Sequence, residues 1–288
     1  MPTEDPVRLR LAIRNRSLNF YRAGQSVAEV QAGPKVGLRA SIHNKYVLGD
    51  EGQGQSSMTL SSAGLSDQEG GCRKYGGLDE LRQWIANINE KHIGDEKRFV
   101  DLVVARNPDA IDLEMALPAY SLVPEERIAP RMDLVALEPV GNRWRIVFWE
   151  AKLVDDARAR CRGDDISPKV IDQLAQYTSW LRHANHRELV ACAYQNTCRL
   201  LVAFRRLATR VNPGIEELGS GIIAAAAPDA PSLLVDDEPR LLIDDRIRDD
   251  RTSSLAFTKN GHLDKLRNMG LHVQMVHSLN QMTLEARP

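Results

Sequence analysis

Cysteine is scarce in this 288-residue chain, and its four copies, Cys72, Cys161, Cys192 and Cys198, form no CxxC pair and no framework spacing. A zinc ribbon and a disulfide-stapled secreted fold are thereby excluded, and reduced thiols are the expectation. Aromatic residues make up only 5%. No apolar run approaches the ~18 residues of a membrane span, and the opening MPTEDPVRLRLAIRNR lacks the apolar stretch of a secretory signal. A cytoplasmic protein with no membrane partner is expected. An excess of one charge is missing as well: 38 Lys+Arg against 39 Asp+Glu leave a net charge of -1, which excludes a polybasic nucleic-acid coat. The Gly-rich GDEGQGQ at 49–55 lacks the Gly-Lys-Ser/Thr close of a phosphate loop, so no ATP site is implied. The seven histidines show no HExxH or other tight ligand spacing, and His183-x-x-His186 reads as a helix-end pair.

What remains is ordinary globular usage, with 43% hydrophobic and 27% charged residues. That amounts to one large domain or two modest ones at roughly 100 to 200 residues each. Short apolar alternations broken by Asn-Arg, Ala-Gly and Ala-Gly-Pro turns predict a small β-meander domain over residues 1–50. Its charge is lopsided: Arg8, Arg10, Arg14, Arg16, Arg22, Lys35, Arg39 and Lys45 stand against Glu4, Asp5 and Glu29, a face suited to nucleic acid or an acidic partner. Residues 51–77, rich in Gly, Ser and Gln, read as a linker or loop. A larger domain then fills 78–288. Its reading is a helix through Leu78 and Ile85, a helix at 95–106 and strands at 111–117, 131–137 and 143–153. After these come a helix opened by Ser167-Pro168 and a helical stretch at 187–208, with Cys192 and Cys198 as core thiols. An Ala/Pro-rich connection at 223–231 leads to three late strands and a short helix from His262 to Met269.

The chemistry gathers on the middle strands. Side chains alternate along a strand, so Trp144, Ile146, Phe148, Glu150 and Lys152 share one face, an apolar face that ends in two charges. Gly141-Asn142 is a natural two-residue hairpin turn, and closing it there pairs Val140 with Arg143 and, by the same register, Asp133 with Glu150. Opposed carboxylates on one face destabilise a ladder unless a cation compensates, and at about 5 Å they are placed to share one. Oxygen ligands without histidine or thiolate favour Mg²⁺, with Mn²⁺ as a substitute.

Asp133, followed on the adjoining strand by Glu150-Ala151-Lys152 inside an α-β-β-β-α order, resembles the PD-(D/E)xK nuclease superfamily over roughly residues 94–184. The following helix adds Gln173 and Tyr177, similar to the QxxxY motif of RecB-like members, and Glu96 on the first helix matches the acid that such proteins often carry there. The sequence departs from the pattern at Met132, where the proline of the PD dipeptide is missing, and Asp112 and Glu114 are rival acids on the preceding strand. The resemblance implies a restriction-endonuclease-like α/β (α+β) core with a mixed sheet flanked by helices. It also implies a Mg²⁺-dependent nuclease acting on DNA, in defence or repair. Asp133, Glu150, the Ala151 carbonyl and Glu96 would be metal ligands, Lys152 would handle water or phosphate, and Gln173 and Tyr177 would line the site. A catalytically inactive nucleic-acid-binding or assembly scaffold, and a dimeric junction-resolving enzyme, are the alternatives. A protein partner or a homodimer fits any of the three.

Overall fold

The structure, a computed structural model, describes residues 9–14, 17–33, 37–48, 57–67, 69–88, 94–116, 120–123, 126–128, 131–160, 167–246 and 256–287. The chain divides into two compact units, Met1–Asp101 and Leu102–Pro288. Two main sheets and several helices make a mixed α/β protein of the α+β class. No described helix is long and apolar enough to cross a membrane.

In the first unit, β1 (Arg10–Arg14), β2 (Ser17–Arg22), β3 (Gln25–Gly33) and β4 (Gly37–His43) form an antiparallel meander. The β2–β3 turn has both central residues at positive φ, Ala23 at 45° and Gly24 at 73°, the primed geometry that matches strand twist. Gly24 is constrained twice, because a Cβ there would lie 2.2 Å from the Lys97 carbonyl oxygen. Residues 51–77, expected as a linker, are in large part sheet. After the short α1 (Asn44–Val47), β5 (Ser57–Ser61), β6 (Gly64–Ser66) and β7 (Cys72–Arg73) extend the meander to seven strands. Ser, Thr and Gly hide the alternation there, although Met58 and Leu65 are buried in the core and Leu60 and Tyr75 pack against it.

The domain boundary moves for the same physical reason. Trp84 and Ile85 of α2 (Leu78–Ala86) are buried, and Trp84 and Ile88 share an apolar core with Val27, Ile42 and Tyr46 of the meander. The division therefore falls inside α3 (Asp95–Arg106) and not at residue 77. Much of the expected basic face is also spoken for. Arg10 donates to the Asp101 carbonyl at 3.0 Å and ion-pairs with its carboxylate. Arg22 donates to the Ile85 carbonyl at 2.8 Å and Arg14 to the Tyr21 hydroxyl at 3.1 Å. Arg39 is exposed, whereas Arg8, Arg16, Lys35 and the 49–56 stretch lie outside the described residues.

In the second unit, β8 (Ala110–Ala116) is followed by a separate hairpin of β9 (Tyr120–Val123) and β10 (Glu126–Ile128). Then come β11 (Arg131–Val140), β12 (Arg143–Leu153), α4 (Lys169–Arg182), α5 (Ala184–Ala208) and α6 (Ser220–Ala226). The chain continues through β13 (Leu234–Val235), β14 (Arg240–Asp244), α7 (His262–Asn268) and β15 (Val273–Val276). The sheet order is β15-β14-β12-β11-β8, with β13 also on β12. The first three strands in sequence pair antiparallel, and β12, β14 and β15 run parallel. Helices fill both parallel crossovers, as that geometry requires. Ile146 and Phe148 of β12 meet Val170, Leu174, Tyr177 and Leu181 of α4 in one buried cluster with Leu241 and Ile243 of β14.

Two local expectations change. The connection at 223–231 begins as helix: alanine propagates α6, Ile222 and Ala225 bury, and Pro228 lies just past its end. Cys198 is buried as a core thiol, but Cys192 is exposed, because the inward face of α5 passes through Val190, Ala191, Tyr194 and Cys198. Cys161 lies outside the described residues.

One buried ion network sits on the sheet face opposite Glu150. Arg240 is 0% exposed, donates to both Glu138 oxygens at 2.7 and 2.6 Å and to Asp236 at 2.8 Å, and lies over the Trp149 ring. Burial pushes the Glu138 carboxyl up, but bonds from Arg240 and Arg145 outweigh it and hold Glu138 below its ordinary range. Arg240→Leu strips the buried Asp236 and Glu138 carboxylates of their buried cation and leaves Glu138 with Arg145 alone, so chemical denaturation should show a loss of about 3–5 kcal/mol. A loss below about 1 kcal/mol would mean that the network relaxes into solvent.

Candidate functional site

The site begins with a register. Gly141, at φ 59°, opens the turn, Val140 pairs with Arg143, and the ladder runs unbroken to Leu134 opposite Trp149. The paired ladder ends at that rung; Asp133 and Glu150 are the next residues beyond it, and the Glu150 charge acts on Asp133. Asp133 Oδ2 accepts the Ala151 backbone N–H at 2.8 Å, which fixes its carboxylate against β12.

Alternation turns Glu150 and Lys152 toward α4, on the side of Ile146 and Phe148. Both are nearly inaccessible, at 2% and 1% exposure, while the Asp133 side chain keeps 21%. Leu241 and Ile243, their register partners on β14, are buried and form an apolar wall. α4 begins one residue later than Ser167-Pro168 suggests, with Pro168 as its cap residue, and its Val170-Leu174-Tyr177-Leu181 stripe faces the sheet. Gln173 and Tyr177, one turn apart, point at Glu150 together.

Every strong donor in this cluster is used. Gln173 Nε2 donates to Glu150 Oε1 at 2.7 Å and to the Tyr177 hydroxyl at 2.6 Å. The Tyr177 hydroxyl lies against the Arg131 carbonyl and 3.2 Å from Glu150 Oε2. Burial, then the Glu150 charge, pushes its pKa far above the ordinary phenol value, so it stays a neutral donor. Lys152 Nζ bonds Glu150 Oε1, donates to the Ala151 carbonyl at 2.7 Å and lies 4.0 Å from Asp133 Oδ2. The ammonium is thus seated among the three oxygens expected to hold a metal.

The other acids separate cleanly. Asp112 is buried, caps its own strand through the Leu113 N–H at 2.8 Å and accepts the Tyr194 hydroxyl at 3.0 Å, which makes it structural. Glu114 falls opposite Asp133 between the pairs Met132–Met115 and Leu134–Leu113, at a left-handed φ of 47° inside a strand. A non-glycine residue in that conformation is strained, a condition that clusters at functional sites. Its charge also acts on Asp133. The sequence names Glu114 as a rival acid, but its positive φ is a backbone event that alternation does not record. Glu96 lies in the first turn of α3, in the first unit. Among the described residues, no group of three or more His, Cys, Asp and Glu gathers to hold a metal ion. His183 and His186 sit at the α4–α5 junction, where His186 stacks on Trp180 and its Nδ1 lies 2.9 Å from the Trp180 carbonyl.

Burial is the largest cause that pushes Asp133 up, to about 7, with Glu150 and Glu114 adding to it while Lys152 and the Ala151 N–H oppose it. No protein-family model, curated protein or solved structure matches the chain.

A carboxyl raised from 3.8 to about 7 on folding binds its proton more tightly in the native state. Its contribution therefore falls as pH rises from about 4 to about 7, and no further above that. In EDTA, urea midpoints should carry this downward slope between pH 4.5 and 7.5, and Asp133→Asn should flatten it. At pH 8 that variant should equal or exceed the parent by about 0.2–1 kcal/mol, the scale of a cross-strand pair. An unchanged slope in Asp133→Asn would remove this carboxyl as its source.

Proposed function

We propose that this protein is a metal-dependent phosphodiesterase with a restriction-endonuclease-like core, acting on nucleic acid and on DNA first. The observation that carries the reading is the single bonded cluster of Asp133 and Glu150-Ala151-Lys152 from adjoining strands with Gln173 and Tyr177 from the next helix. The α3-β8-β11-β12-α4 order, completed by parallel β14 and β15, supports it.

The donor set fits a hard divalent cation. Two carboxylate side chains and a backbone carbonyl converge on one cationic centre, the Lys152 ammonium, which stands where Mg²⁺ or Mn²⁺ would be held. When bound, such an ion supplies Lewis-acid polarisation of a phosphate oxygen and a more acidic water. Asp133, Glu150 and the Ala151 carbonyl would hold it. Gln173 and Tyr177 orient Glu150 so that its oxygens need not reorganise during the reaction. Lys152 positions the attacking water and meets the charge that grows on the phosphate. The first unit, with exposed Arg39, is the candidate for recruiting substrate or a protein partner. A cytoplasmic role in defence or repair, alone or as a homodimer, follows from the resemblance.

A second reading has its own observation. Lys152 already sets a positive charge against both carboxylates, so the cluster has a cation of its own, as a noncatalytic nucleic-acid-binding or assembly scaffold would need.

Incubation with plasmid, linear duplex and single-stranded substrates in Mn²⁺ decides between them. The parent should cleave, and Glu150→Ala and Lys152→Ala should each cut the rate by roughly 10²-fold or more. Full cleavage by either variant would remove that residue from the mechanism. A parent inert on all three substrates would leave the scaffold.

A further inference from the structure

The Lys152 side chain is 1% exposed, and its ammonium lies among the oxygens of the candidate site. Its neighbours are Glu150 Oε1, the Ala151 carbonyl at 2.7 Å and Asp133 Oδ2 at 4.0 Å. Glu150 Oε1 also takes Gln173 at 2.7 Å, so two donors already converge on that oxygen. Leu241 and Ile243 close the β14 side with hydrocarbon. A divalent ion bonded to Glu150 Oε1 and the Ala151 carbonyl needs metal–oxygen distances of about 2.0–2.2 Å. Its centre would then fall almost on the lysine nitrogen. Two cations that claim the same oxygens at that spacing repel as well as collide.

We infer that Lys152 is a tethered resident cation: its ammonium and a divalent ion exclude one another from the cradle of Asp133, Glu150 and the Ala151 carbonyl, and metal must displace it to load the site. The inference rests on the proposed metal reading and adds its regulation. In the metal-free state the ammonium offsets the repulsion between the two carboxylates, which favours the folded empty site. Metal affinity is lowered by whatever the displaced bonds were worth, so scarce ions do not load the site. Once displaced, the ammonium is free to meet a phosphate, and its release is thereby tied to metal arrival. The lysine does not help to bind the ion; it competes with it.

Calorimetric titration of Mn²⁺ alone into chelator-treated protein tests this without any turnover. Lys152→Met and Lys152→Gln should bind Mn²⁺ at least tenfold more tightly than the parent, at the same stoichiometry. Glu150→Gln should bind it much more weakly than the parent. Equal or weaker binding by both lysine variants overturns the inference while leaving the metal reading intact. Absence of binding by the parent and by both lysine variants overturns the metal reading, and the inference with it. Should the variants fail to fold, the parent decides. The ammonium of Lys152, the one buried lysine among the described residues, should give a slowly exchanging ¹⁵N-lysine NMR signal in EDTA. Mg²⁺ at saturation should move or abolish that signal. A signal unchanged while Mg²⁺ binding is seen calorimetrically also overturns it.

Discussion

Asp133 and Glu150 come together just beyond the last pair of the β11–β12 ladder, and two carboxylates so placed repel unless their neighbours compensate. The offset is local and dense. The Ala151 N–H serves Asp133, Gln173 and Tyr177 serve Glu150, and the Lys152 ammonium lies between the two acids. Burial strengthens each of these contacts and makes the absence of any one more costly. α4 is tied to the sheet by the same bonds, so the hairpin and the helix are one device. The depth of the cluster is also the largest cause that pushes Asp133 up.

The second unit buries two cations on opposite faces of its sheet, and they differ in kind. Arg240 holds both Glu138 oxygens and Asp236 through a rigid planar fork, a directional geometry that a spherical ion does not reproduce. Lys152 is a point charge on a flexible stem, held by contacts that an inorganic ion can reproduce. The first is architecture. The second is suited to exchange, and a guanidinium in its place would not be.

The strained Glu114 belongs with this contrast. Its left-handed backbone interrupts β8 at the position opposite Asp133, next to an exposed Arg131 whose guanidinium lies 3.6 Å from the Glu114 carboxylate. A regular strand there would need no such conformation. The surrounding pairs, Met132–Met115 and Leu134–Leu113, hold it in place.

Local rules were enough for much of this protein. The Gly141-Asn142 turn, with a side-chain period of two, set the β11–β12 register from Val140–Arg143 to Leu134–Trp149. The Val170-Leu174-Tyr177-Leu181 stripe set the face of α4 and carried Gln173 with it. The meander was legible wherever apolar residues alternated. It was lost at 57–73, where Ser, Thr and Gly carry the strands and neighbouring strands, not side-chain pattern, define the sheet. The domain boundary depended on Trp84 and Ile88 finding the meander core, a long-range burial that no window of sequence contains. Tertiary structure alone committed Arg10 to Asp101 and Asp112 to Tyr194, and placed Lys152 inside the carboxylate pair. Sequence sets which groups share a strand face, because that follows from backbone period. Which of those groups is already neutralised depends on partners brought from elsewhere in the chain.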